Sequence, residues 1–214
     1  MNKFLVFYKS DGLKSAIQLS IKKIASVFYH CSHTKCIYLE RTKLKPLSKP
    51  QWDSYDAVLI SKPEDIATLS FDRLKLLPCM KWLNNGSNVI VLLKGSTPVA
   101  FGWTHFESHS IQNVGTFDMG NNIAWLGPFF VHKDFRGKGL QKLIIQQCIN
   151  KVPDNITSFI TSTNSKNTAS LSSFLTLGFK EGIDIITKSG VFCKKGKEIK
   201  EITKTSGNYL KLQQ

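Results

Sequence analysis

The sequence has no apolar run of about 18 residues, so no helix is expected to span a membrane. Its opening, MNKFLVFYKSDG, is apolar for only a few residues and lacks a small-residue cleavage site, so no secretory signal is expected. CxxC pairs are missing, and the five cysteines (Cys31, Cys36, Cys79, Cys148, Cys193) are odd in number. Free thiols in a reducing, cytoplasmic compartment are the expectation. His30, Cys31, His33 and Cys36 lie close together, but no second ligand pair follows, so no metal is expected. Neither GxxxxGK[ST] nor GxGxxG occurs, which argues against a P-loop and a Rossmann turn. Arginine is scarce, with only Arg41, Arg73 and Arg136 contributing to a formal charge of +14. Nucleic-acid readers favour Arg for bidentate contacts. Lysine spread through the chain reads instead as a solubilising surface, and no specific nucleic-acid partner is expected. No Ser/His/Asp or Cys/His nucleophile set is recognisable, so group transfer without a covalent enzyme intermediate is the simpler chemistry.

What is present suits a globular protein. The 214 residues are 42% hydrophobic and 21% charged, enough for one large domain, or one domain with a small appendage. Residues 3–8 read as a strand. Residues 11–30 read as an amphipathic helix whose Leu13, Ile17, Ile21, Ile24 and Phe28 pack on the core, with a membrane-surface helix as the alternative. CIYLE (36–40) reads as a strand, and TKLKPLSKPQW (42–52), with two prolines and several lysines, as a linker. A boundary is placed there, giving a strand-helix-strand extension over 1–52 and a main domain over 53–214.

In the main domain DAVLI (56–60) is a short strand, and Pro63-Glu64-Asp65 starts a helical region running to Leu83. NVIVLLK (88–94) and PVAFGWTHFES (98–108) form a hairpin, followed by a polar loop over 109–122. IAWLGPFFV (123–131) reads as a central strand buried on both faces, with Trp125 and Phe129 sharing one face as core, a substrate platform being the alternative. A helix over 139–151, a strand over 158–162, a helix over 166–177 and a strand over 178–188 follow, and VFCKK leads into a lysine-rich end. The order predicts an α/β fold with a mixed sheet and helices on both faces.

Between the central strand and the next helix stands Arg136-Gly137-Lys138-Gly139-Leu140. A helix N-terminus offers unpaired N–H groups and a partial positive charge, and both suit phosphate oxygens. Glycines let the backbone approach an anion closely. Arg136 and Lys138 add full charges, and Lys142 stands one turn further on. Alone, this pattern says that some anion binds there.

VHKDFRGKGLQKLII resembles the central motif of the GNAT superfamily of acyl-CoA N-acyltransferases, roughly R/Q-x-x-G-x-G/A after a strand ending in Val. Arg136 and Gly139 match, whereas Gln141 stands where Gly or Ala is usual. NTASLSSFLTLGF resembles the family's second signature through Asn167, Leu177, Gly178 and Phe179. The resemblance covers about residues 55–190. It implies a mixed, mostly antiparallel sheet flanked by helices, with acetyl-CoA as co-substrate. The strand around Phe130 and Val131 would offer backbone N–H groups to the acyl carbonyl and pantetheine. Arg136, Gly137, Lys138, Gly139, Leu140, Gln141 and Lys142 would hold the pyrophosphate, and Asn167 would sit near the cysteamine end. Pro128 would help part the central strand from its parallel neighbour. Family habit implies a homodimer through the C-terminal strands. Many members carry a Tyr that protonates the leaving thiolate at the position of Phe174, and Phe has no proton to give.

Acyl transfer to an amine needs a proton acceptor and a stabilised oxyanion. The candidates for the base are His105 and Glu107, which share a strand face with Trp103 and could line an acceptor pocket, and His132 at the end of the central strand. Asp118 and the loop 109–122 are further candidates for shaping that pocket. The resulting expectation is an N-acetyltransferase acting on a small primary amine, such as an amino sugar or amino acid derivative. Transfer of a longer acyl chain or an aminoacyl group, and a non-catalytic acyl-CoA sensor, are the alternatives.

Overall fold

The computed structural model describes residues 13–67, 69, 71–111, 115–191, 196–201 and 211–213. The expected strand over 3–8 lies outside them, as does most of VFCKK. Helix α1 (Leu13–Phe28) leads into strand β1 (His30–Glu40). Then come β2 (Asp56–Ile60), α2 (Pro63–Ala67), α3 (Cys79–Asn84), β3 (Asn88–Lys94) and β4 (Thr97–His105). Two short strands, β5 (His109–Ile111) and β6 (Gly115–Asp118), precede β7 (Ile123–Val131). The chain continues through α4 (Leu140–Asn150), β8 (Ser158–Asn164), α5 (Thr168–Thr176), β9 (Lys180–Ser189), β10 (Gly196–Glu201) and β11 (Lys211–Gln213).

Eight strands form one sheet in the order β10-β9-β1-β8-β7-β4-β3-β2, and β11-β6-β5 form a second, smaller one. Among the described residues every strand pairing is antiparallel except β7 with β8. The mixed, mostly antiparallel sheet with helices on both faces matches the expected fold class. Strand alternation sends successive side chains to opposite faces. Along β3, Ile90 and Leu92 join the core under α4 and α5, while Val89 and Val91 join the core beside α2 and α3. From α4, Leu140, Ile144, Ile145, Cys148 and Ile149 are buried against the first of these faces.

The register between β4 and β7 breaks once. Gly102 pairs with Phe129 and Thr104 with Leu126, so two steps along β4 face three along β7. One extra residue is a β-bulge, and it reverses which face every later side chain of that strand takes. Trp125 therefore packs with Phe117 and Ile160 on one face, whereas Phe129 packs with the α4 and α5 core on the other. This corrects the expectation that they share a face. Phe130 takes the Trp125 side and stacks on Phe101 at 5.7 Å.

Other boundaries moved for identifiable reasons. The helical region over 63–83 is broken into α2, a 3-10 turn over Leu74–Leu76 and α3. Pro78 stands just before α3, where a missing N–H disturbs no helical bond. Strand β4 stops at His105, leaving Glu107 exposed beyond its end, and part of the 109–122 segment pairs as β5 and β6. The 42–52 segment is clipped to α4, because Leu47 donates its N–H to Gln146 Oε1 at 2.8 Å and accepts from Gln146 Nε2 at 3.2 Å. Helix α1 does not bury its stripe against the core; Leu13, Ile17, Ile21, Ile24 and Phe28 are 45–64% exposed. β1 lies inside the large sheet, between β8 and β9.

Gly102 is the tightest point behind the bulge. A Cβ there would meet the Phe129 ring at 2.6 Å and Cys148 Sγ at 3.0 Å. Gly102→Ala is expected to push Phe129 aside and destabilise the fold by about 1–3 kcal/mol, read as a lowered urea midpoint with an unchanged slope.

Candidate active site

Pairing between β7 and β8 covers only Ile123–Trp125 against Ser158–Ile160. Past that point the strands part and leave a cleft of about 1090 Å³. Leu126 to Val131 form one wall and Thr161 to Asn164 the other, with Phe129 and Phe174 inside. The N–H of His132 is bonded to the Val99 carbonyl at 2.8 Å. Alternation along an antiparallel ladder then turns the N–H groups of Phe129 and Val131 away from β4, toward the open side.

The glycine-rich turn closes one end of this cleft. Gly137 (φ +79) and Gly139 (φ +76) both adopt the left-handed conformation that side chains resist. Gly139 is the N-cap of α4, so the first N–H groups of that helix lack intrahelical partners. A Cβ at Gly139 would touch Trp52 at 3.4 Å and come within 3.6 Å of Lys49 Nζ. Trp52 is buried, and its indole N–H donates to the Lys138 carbonyl at 3.2 Å. Lys49 and Trp52 thus belong to the turn although they come from the segment read as a linker; a lone Trp among lysines and prolines was the available signal. Arg136 Nε donates to the Val131 carbonyl at 3.2 Å, tying the turn to the strand.

Phe130, Val131, Arg136, Gly137, Gly139, Leu140, Gln141, Lys142 and Asn167 all border the cleft. Lys138 does not; its ammonium sits over the Phe135 ring at 4.9 Å. Gln141 donates to Ser170 Oγ at 2.7 Å, so the residue that departs from the family pattern bridges α4 to α5. The Asn167 side chain caps α5 by accepting from the Ser170 N–H at 3.2 Å. Phe174 is 1% exposed and meets Phe129 and Phe179 edge-on at 5.7 and 5.1 Å.

The residues read as possible bases are scattered. Trp103 and His105 do share a face, stacked at 6.0 Å, but neither they nor Glu107 border the cleft. His105 Nε2–H donates to the Gly127 carbonyl at 3.0 Å, because a carbonyl can only accept. Its Nδ1 therefore accepts from the Ser87 hydroxyl at 2.8 Å. His132 caps the short turn over Lys133–Phe135, with Nδ1 3.5 Å from the Asp134 N–H. His109, not singled out in the sequence although it opens the 109–122 segment read as shaping an acceptor pocket, borders the cleft at its Trp125 end.

Burial holds the His105 imidazole down to about 4, against the smaller upward pull of the Gly127 carbonyl. An unfolded imidazole takes a proton as pH falls through about 6.5, while the folded one stays neutral until about 4. The unfolded state binds more protons in that window, so stability is lost as pH falls from about 6.5 to about 4. Urea melts across this range are expected to show His105 contributing a loss approaching about 3 kcal/mol at the acid end, and His105→Gln should reduce the dependence to the part that His109, also held down to about 4, contributes.

Two of the solved structures that share this fold serve as examples. A functionally unknown conserved protein from Staphylococcus epidermidis superposes with a TM-score of 0.51 at 16% identity, over 77% of this chain and 63% of its own. A tandem GNAT protein from the clavulanic acid biosynthesis pathway superposes at 0.51 with 12% identity, over 80% of this chain and 57% of its own. The chain thus spans less than two thirds of either. No curated protein matches it in sequence. The acetyltransferase (GNAT) family profile matches residues 52–179, a stretch that contains the parted strands, the glycine turn and the Asn167-to-Phe179 segment. That match covers more than half of the sequence, and the chain belongs to the GNAT acetyltransferase family.

Proposed function

We propose that the protein transfers an acetyl group from acetyl-CoA to a primary amine of a small molecule, an amino sugar or amino acid derivative, by direct attack. The observation that carries this reading is the cleft between β7 and β8, which ends on a cationic turn with two left-handed glycines at a helix N-terminus. Backbone N–H groups from Gly137 to Gln141 receive the pyrophosphate, and Arg136, Lys49 and Lys142 supply charge. Support for coenzyme A over a free phosphate comes from the length of the cleft behind the turn. A pantetheine arm is long and mostly apolar, and the cleft walls run from Arg136 past Val131 and Phe129 to Trp125. The N–H groups of Phe129 and Val131 suit the amide and acyl carbonyls of that arm. Asn167 stands at the same wall through its cap on α5.

Phe174 supports a second reading, a non-catalytic acyl-CoA sensor, because it puts a ring without an ionisable proton at the cleft. The two readings separate in one experiment. Calorimetry with acetyl-CoA and coenzyme A, followed by thiol release with a panel of amines, should show binding and turnover for the transferase. Binding with no turnover supports the sensor, and the absence of binding removes both.

Arg136→Glu is expected to weaken acetyl-CoA binding by about 1.5–3 kcal/mol or more, roughly 10–150-fold, with the thermal midpoint nearly unchanged. Gly139→Asp should abolish binding, since it places a side chain at φ +76 against Trp52 and a negative charge in the anion site. An unaltered affinity in both variants would rule out the turn as the site.

A further inference from the structure

We propose that His109 takes the proton from the acceptor amine as it attacks the thioester. This rests on the transferase reading above. His109 stands on β5, at the Trp125 end of the cleft, while the turn that suits phosphate closes the Val131 end. Its imidazole stacks on the Trp125 indole at 4.4 Å and 16°, and lies 5.0 Å from the His105 ring at 33°. These ring contacts hold it in one attitude at the cleft wall. Among the described residues neither of its ring nitrogens has a hydrogen-bond partner, so a lone pair stays available. His105 differs in this respect, with both nitrogens engaged by Ser87 and Gly127.

Composition of the cleft narrows the choice further. No Asp or Glu borders it among the described residues, and its cations, Lys49, Arg136 and Lys142, belong to the turn. That leaves His109 as the one neutral base on its walls among the described residues. Burial, followed by the nearby His105, lowers its pKa to about 4, so the ring is unprotonated at neutral pH. From β4 the titratable group facing it is His105, itself neutral, and from β7 it meets the Trp125 ring.

The chemistry balances with no added reactant. The lone pair of the free amine attacks the thioester carbonyl carbon and a C–N bond forms. The ammonium-like nitrogen of the tetrahedral adduct passes its proton to the free nitrogen of His109, directly or through one water. The C–S bond breaks, coenzyme A leaves as thiolate and takes a proton from solvent, and His109 releases its proton to solvent. An imidazole with so low a pKa removes the acidic proton of that adduct but does not deprotonate a strongly basic ammonium. Amines of low basicity, including amino sugars and amino acid esters or amides, should therefore outpace simple alkylamines at pH 7.

The test uses the intact protein, acetyl-CoA and the amine panel, with His109→Gln and His109→Ala. Acetyl-CoA affinity of both variants should stay within about twofold of the parent, which also reports that they fold. kcat/KM for the best amine should fall about 10²–10⁴-fold, and added imidazole should restore part of the His109→Ala rate. A purely structural role would not respond to imidazole. Turnover of His109→Gln within about threefold of the parent, or a slow His109→Ala that imidazole does not rescue, overturns the assignment while leaving the transferase reading standing. A parent protein that binds acetyl-CoA and acetylates no amine overturns both, and one that does not bind acetyl-CoA overturns the coenzyme A reading on which the proposal rests.

Discussion

Two adjacent parallel strands normally stay in register for their shared length, because every abandoned ladder bond leaves polar backbone groups to be satisfied elsewhere. Here β7 and β8 separate after Trp125 and Ile160. On its other edge β7 remains paired to β4, at the cost of an extra residue between Leu126 and Phe129. The strand is thus anchored on one side and free on the other, and its free backbone groups face a cleft rather than a neighbour. The functional geometry depends on this unequal pairing.

The bulge also sorts the aromatic side chains. Before it, Trp125 joins Phe117 and His109, whose ring in turn meets His105; after it, Phe129 crosses to Phe174 and the helical face. The cleft consequently receives an imidazole at one end and apolar rings in its middle. Charge follows the same polarity. The bordering cations gather at the end closed by α4, where the helix dipole has the same sign. A long anionic co-substrate with an uncharged reactive tip is oriented by such a gradient without any contact at the tip.

Much of this was readable in the sequence. The nine-residue apolar run over 123–131, the Arg136-to-Leu140 turn and the Asn167-to-Phe179 segment are local patterns, and each formed where expected. What escaped the reading depends on partners distant in sequence. Trp125 and Phe129 were assigned one face because a period of two holds only within an unbroken ladder, and the break is set by pairing with β4. Glu107 was read as strand because alternation continued past His105, although pairing did not. Trp52 and Lys49 looked like linker residues, since their contact with Gly139 and Lys138 spans some 86 positions in the chain. His109 lay in a stretch with no periodic signal, and only its stacking on Trp125 gives it a setting.

Strand β1 carries one more implication. It pairs along seven residues with β8 and nine with β9, from a position more than a hundred residues earlier in the chain. The region recognisable as the family's begins at residue 52, beyond this strand. The stretch that the family profile matches and the unit that folds are therefore not the same. Without β1, the β8 and β9 edges would both lie open, and the segment carrying Asn167 and Phe174 would be hydrogen-bonded into the sheet only through the short parallel pairing of β8 with β7. Such long-range pairing also slows folding, because the loop must close before its contacts form. During synthesis, β1 must stay solvated until its two partners have been made.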